Sequence, residues 1–207
     1  MVCVSEQKSA VNSVSRGRPG YSREDVIRVA VKAFTARGYD ATSMGHVASE
    51  LGISKSALYH HISSKEEILE LTVVQALGKL EAVVEEMQAA EIAPAEKIRG
   101  LLRGSIEVLC ADPKSVALLL RLRGNSDVEL RALERRRELT RAVSAFIRAA
   151  QEDGSIRADL DASLLTRMIF GTINSISDWY EPGGRLGPQE VASGVESVIF
   201  SGIDSAR

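Results

Sequence analysis

Apolar residues recur along this chain at the spacing of a helix with one buried face. Val26, Val29, Ala30, Ala33 and Phe34 form one such set, and Met44, Val47, Ala48 and Leu51 a second. Ile68, Leu69, Leu71, Val73, Leu77, Leu80, Val83, Val84 and Met87 sustain the pattern over a much longer stretch. No run of alternating Val, Ile and Thr bounded by turn signals interrupts it, so the pattern predicts an all-α fold. Capping and breaking residues divide the chain. Ser22 with Asp25 opens a first helix that Gly38 ends, Gly52 separates a second helix from a third, and Ser54 caps the third. Ser63 with Glu66, or Ser64 with Glu67, opens a long helix to about residue 90. Pro94, Asp112-Pro113, Ser126 with Glu129, Asp161, and Gly187-Pro188 open five more. About nine helices result: three short ones, a long connector, then five.

Thr42 to Lys65 carries the most specific chemistry. Two short helices about a small turn residue, Gly52, form a helix-turn-helix pattern. Thr42 and Ser43 stand where the second helix begins, offering hydroxyls and free backbone N–H groups to a phosphate. Ser54, Lys55 and Ser56 open the third helix, whose first residues reach base edges in a major groove. Tyr59, His60 and His61 follow along it, and Lys65 is placed for a phosphate. Upstream, Arg16 and Arg18 in Arg16-Gly17-Arg18-Pro19 make a short basic arm suited to a minor groove. The organisation expected is a flexible basic arm over 1–21, a DNA-binding unit over 22–66, and a larger helical unit over 67–207.

Composition sharpens this picture. The chain has 207 residues, 44% of them hydrophobic and only 4% aromatic, so the core is expected to be aliphatic. A net charge of −2 hides an asymmetry: residues 1–65 hold nine Lys and Arg against five Asp and Glu, and the remainder is acidic. The basic excess falls on the helix-turn-helix, where a polyanion would sit. No apolar run is long enough for a membrane span, and the first residues lack the apolar stretch of a signal peptide, which points to the cytoplasm. Cys3 and Cys110 suggest neither a disulfide framework nor a zinc site. Adjacent His60 and His61 face different ways and have no accompanying ligand set, so no metal is expected. No Gly-rich phosphate loop, paired-histidine zinc motif or nucleophile elbow appears. We therefore expect neither an enzyme nor a cofactor.

Residues 22–65 resemble the DNA-binding domain of the TetR (tetracycline-repressor-like) regulators. The resemblance rests on Phe34-x-x-x-Gly38-Tyr39, Ala41-Thr42-Ser43, Val47-Ala48, Leu51-Gly52-Ile53-Ser54-Lys55-Ser56, Leu58-Tyr59-His60-His61 and Ser64-Lys65-Glu66-Glu67. Ile62 stands where the family usually has Phe, and His46 where an acidic residue is common. The resemblance implies double-stranded DNA as a partner, contacted by the residues matching Thr42, Ser54, Lys55, Ser56, Tyr59, His60 and Lys65. It also implies a homodimer on a palindromic operator and a repressor released by a small-molecule effector, with 67–207 as the ligand-binding and dimerisation unit.

Two C-terminal helices rich in apolar and small residues imply a partner surface, for which Ile169, Ile173, Ile176, Tyr180, Val191, Val195, Val198 and Ile199 are the candidates. The order Gly171-x-x-Asn174, then Trp179-Tyr180-x-Pro182-Gly183-Gly184, is similar to a subset of the family that senses acyl-CoA thioesters. Such a ligand needs cations and apolar walls: Arg99, Arg103, Arg121 and Arg123, with Leu118, Met168, Asn174 and Trp179. Arg135-Arg136-Arg137, flanked by Glu134 and Glu138, read as an exposed salt-bridged face. A non-CoA apolar molecule is the alternative effector; a helical enzyme or a ligand-insensitive DNA binder is the alternative class.

Overall fold

The computed structural model describes residues 20–203, with side chains to residue 201. Within them the chain forms α1 (Arg23–Arg37), α2 (Met44–Leu51), α3 (Lys55–Tyr59), α4 (Lys65–Ala89), α5 (Pro94–Ala111), α6 (Pro113–Leu120), α7 (Asp127–Glu152), α8 (Ala162–Trp179) and α9 (Pro188–Ile203). The expected all-α architecture of about nine helices is the one observed.

Capping explains most of the boundaries. Ser22 and Asp25 form a reciprocal capping box on α1. Gly52 takes a left-handed conformation (φ 66°) that ends α2 and lets Ser54 cap α3 at once. Two of the expected boxes are built differently. Ser64 caps α4 by accepting from the Glu67 N–H, but the Glu67 carboxylate reaches one residue further back, to the Ser63 N–H. Ser126 caps α7, yet Glu129 turns away from it and accepts from the N–H groups of Arg123, Gly124 and Asn125.

Helices α1 to α3 pack on the first half of α4 around Val26, Phe34, Val47, Leu51, Leu58, Ile62, Ile68, Leu69 and Leu77. Ile62 is fully buried in this cluster. Leu118 and Leu119 of α6 and Ala132 of α7 complete that cluster. The packing thus continues past residue 66, and the N-terminal unit shares its core with the body. A second core gathers residues from α5, α7, α8 and α9 around Leu102, Ile106, Ile147, Ile173 and Phe200. The 25 residues of α4 span about 38 Å and join the two.

The C-terminal helices overturn one expectation. Ile169, Ile173, Ile176, Val191 and Ile199 are buried in the subunit's own core, as is Tyr180, whose hydroxyl meets the Cys110 thiol. Val195 packs against the same core. Apart from the half-buried Val195 these side chains offer little surface to a partner, whereas Val198, the remaining candidate, is exposed. The opposite stripe of α8 faces out: Leu164, Met168, Gly171, Thr172, Ser175 and Trp179, with Met168 57% exposed. On α9, Gly194, Ser197 and Val198 do the same, Val198 being 73% exposed.

Candidate nucleic-acid interface

The outward edge of α2 and α3 is made of short polar side chains around one large ring. Ser43, His46, Ser54, Lys55, Ser56, Tyr59 and His60 are all exposed, whereas Leu58 and Ile62 hold the short α3 against the core. Tyr59 leaves half of its surface in solvent. An exposed aromatic ring carrying a hydroxyl, beside a lysine and serines, can stack on a sugar and donate to a phosphate.

The N-terminus of α2 is prepared for an anion. Ser43 accepts from the His46 N–H, and the Ser43 N–H donates to His46 Nδ1, both at 3.3 Å. His46 therefore does the work of the glutamate in an ordinary capping box, which its unusual identity did not suggest. The Lys55 side chain crosses from α3 to lie over Gly45, so close that a Cβ on Gly45 would meet Lys55 Cε at 2.7 Å. Its ammonium and the free N–H groups of the first turn of α2 thus face one region.

Two of the proposed contacts have other partners. Thr42 is 1% exposed, and its hydroxyl donates to the Gly38 carbonyl oxygen at 2.8 Å. Thr42 pins the loop between α1 and α2, and its side chain does not reach the DNA side. Lys65 is half-buried; its ammonium donates to the Tyr39 carbonyl oxygen and sits over the Tyr39 ring. Tyr39 in turn packs edge-on against Phe34, with centroids 5.1 Å apart. Burial, with the carboxylates of Glu66 and Glu129 nearby, pushes the Tyr39 phenol well above its ordinary pKa, so it stays protonated. Arg16 and Arg18 lie outside the described residues.

The proposed effector residues do not converge. Arg99 and Arg103 of α5 both clasp Glu196 of α9, Arg103 through two bonds of 2.6 and 2.8 Å. Leu118 belongs to the N-terminal core, and Met168 and Trp179 stand on the outer face of α8. Leu118 also lines one cleft with Arg121 and Arg123, beside the Gly38–Ala41 loop, and Asn174 lines another with Arg121. The run at 135–137 also divides. Arg135 pairs with Glu81 of α4 and Arg137 with Glu134, while Arg136 turns inward and donates to the Leu119 carbonyl oxygen. Burial lowers the pKa of Arg136 without neutralising it. Glu81 and the Leu119 carbonyl come from other helices, beyond what local spacing could indicate, whereas Arg137 and Glu134 are an i, i+3 pair within α7, as the flanking glutamates suggested. Among the described residues no helix is long and apolar enough to cross a membrane, and no cluster of three or more His, Cys, Asp or Glu could hold a metal ion.

Known proteins share this arrangement. Residues 26–72 match the family model for bacterial regulatory proteins of the tetR family, and residues 91–203 that for the tetracyclin repressor-like C-terminal domain. The HTH-type transcriptional repressor KstR2 of Mycolicibacterium smegmatis is 28% identical over 197 residues, covering 92% of this chain and 94% of its own. The crystal structure of SCO3833, a TetR-family member from Streptomyces coelicolor A3, is 43% identical with a TM-score of 0.80, over 87% of this chain and 91% of that one. The ketosteroid transcriptional regulator KstR2 of Mycobacterium tuberculosis is 27% identical with a TM-score of 0.81, over 92% and 98%. With both halves of its length matched in order, the chain belongs to the TetR family of DNA-binding transcriptional regulators.

Proposed function

We propose that the chain is a cytoplasmic, homodimeric repressor that leaves a palindromic operator when a small apolar molecule carrying an anionic group, such as an acyl-CoA thioester, binds its body. It acts by binding and performs no turnover. The DNA-reading unit is 22–66 and the effector and dimer unit 67–207. The observation that carries the reading is the exposed edge of Ser43, Ser54, Lys55, Ser56, Tyr59 and His60, held by a core that also contains Leu118 and Leu119 of the body. A change in the position of α6 therefore moves the reading edge. The outward stripe from Leu164 to Trp179 is the face for a second copy, and two reading heads on one dimer match a palindrome. KstR2 is a repressor and a ketosteroid regulator by name, which fits an apolar effector. The order Gly171 to Gly184 favours the thioester.

Fluorescence anisotropy on the DNA upstream of the chain's own gene, at 150 mM salt, tests this. Sequence-specific binding that a CoA thioester weakens is the expected result. Binding no tighter than to scrambled DNA would overturn it.

A further inference from the structure

The C-terminal end of α6 stands between two clefts, and Arg121 lines both. One cleft, of about 670 Å³, separates Phe34 and the loop Gly38–Ala41 from the segment after α6. The other, of about 350 Å³, opens between α6 and α8 beside Ala117, Leu120, Gly171, Asn174, Ser175 and Asp178. Across the first cleft the Arg121 guanidinium donates to the carbonyl oxygen of Thr35, in the last turn of α1. That carbonyl lies at the negative end of the α1 dipole, where a cation is favoured. Arg121 has no carboxylate partner among the described residues, unlike Arg99, Arg103, Arg131, Arg135 and Arg137 of the same body.

A neutral carbonyl holds a guanidinium by one bond. A carboxylate or phosphate takes two, and such charge-assisted bonds are roughly twice as strong. An anion in the α6–α8 cleft therefore competes with Thr35 on favourable terms. The Asn174 side-chain amide, which makes no hydrogen bond to the described residues, stands in that cleft as a second donor. Asp178 lines it too, and its charge opposes the anion.

We propose that the anionic group of the effector enters the cleft between α6 and α8 and draws Arg121 off the Thr35 carbonyl, so that Arg121 couples occupancy of the body to the attachment of the reading head. This rests on the effector-responsive reading above. Because α6 also contributes Leu118 and Leu119 to the head's core, releasing its end loosens both attachments together.

The test uses the full chain, its upstream DNA, the CoA thioesters of acetate, octanoate and palmitate, and the three free acids. Two signals are read: operator anisotropy, and the emission of Trp179, the chain's single tryptophan and the neighbour of Asp178. The wild type is expected to lose at least tenfold in operator affinity with one or more of these anions, with a saturable change at Trp179. The thioester and acid arms identify which anion acts. Arg121→Gln, which lacks the Thr35 attachment from the start, should bind the operator about tenfold more weakly than wild type with no anion present and lose less than threefold more when the same anion is added; Arg121→Lys should recover part of both the affinity and the response, and Asp178→Asn should release at lower concentration. Equal release of Arg121→Gln and wild type overturns the proposal, as does specific DNA binding that none of the six anions weakens. Absence of specific DNA binding in the wild type overturns the regulator reading itself, which separates the two failures.

Discussion

The Lys65 ammonium lies 4.2 Å from the centroid of the Tyr39 ring and 3.0 Å from the Tyr39 carbonyl oxygen. One side chain at the start of α4 thereby closes the loop that leads into α2, and it keeps part of its surface in solvent. Lys65→Ala removes a cation–π contact and a charged hydrogen bond, and is expected to cost about 1–2 kcal/mol in a urea melt. If the exposed part of Lys65 also meets a phosphate, the log–log salt slope of operator binding falls by about 0.9. We expect both effects. Lost stability with an unchanged salt slope would confine Lys65 to clipping the loop.

Glu129 is 3% exposed and gathers the N–H groups of Arg123, Gly124 and Asn125 at 2.8, 2.8 and 3.3 Å. It shapes the segment between α6 and α7 that forms one wall of the cleft beside the Gly38–Ala41 loop. Glu129→Ala leaves three donors without their acceptor and is expected to cost roughly 2–4 kcal/mol. Hydrogen exchange should rise first at 123–125, ahead of the α7 interior. Uniform acceleration across α7 would show that the carboxylate holds the helix rather than the loop.

The helix boundaries were legible because capping is local: Ser22, Gly52, Ser54, Pro94, Asp112 and Pro188 act on their own neighbours. The faces of α8 were not. Leu164, Met168 and Trp179 form one apolar stripe, Leu165, Ile169, Ile173 and Ile176 another, and periodicity does not say which looks inward. Only packing against α5, α6 and α7 decides it, and it chose the more continuous, β-branched stripe for the core. Thr42 and Lys65 illustrate the same limit within the reading head, since the Gly38 and Tyr39 carbonyls that engage them lie across a loop or at a distance of 26 residues. The arginines were legible as cations but not as partners, because Glu196 and Thr35 are remote in sequence.

Acid stability has a specific source at the head of α4. Hydrogen bonds from Ser63, with Arg23 adding its charge, pull the Glu67 carboxyl from its ordinary 4.5 down to about 2. A lowered folded-state pKa contributes stability that is complete above the unfolded value and is lost as pH falls towards the folded one. The window is therefore pH 4.5 to about 2. Glu67→Gln removes this contribution at every pH, so its stability deficit should be constant above pH 5 and shrink steadily below 4.5. Denaturant midpoints across that range check the sign. A deficit that widens on acidification would assign the ionised form no stabilising role.

The outer stripe of α8 makes the sharpest structural prediction. Met168 and Trp179 are each more than half exposed on this outer stripe of α8. An aspartate at Met168 adds no strain to the subunit, because the side chain points to solvent, but places a charge where an apolar partner would have to desolvate it. Met168→Asp should therefore yield a folded monomer by light scattering, with helical content and melting transition near those of the wild type. Its operator affinity should drop by far more than the twofold that simple loss of one head would give, since two linked heads bind with shared orientation. Ile173→Asp, five residues further along but facing inward, should instead unfold the body. A Met168→Asp chain that remains dimeric would move the interface off this stripe.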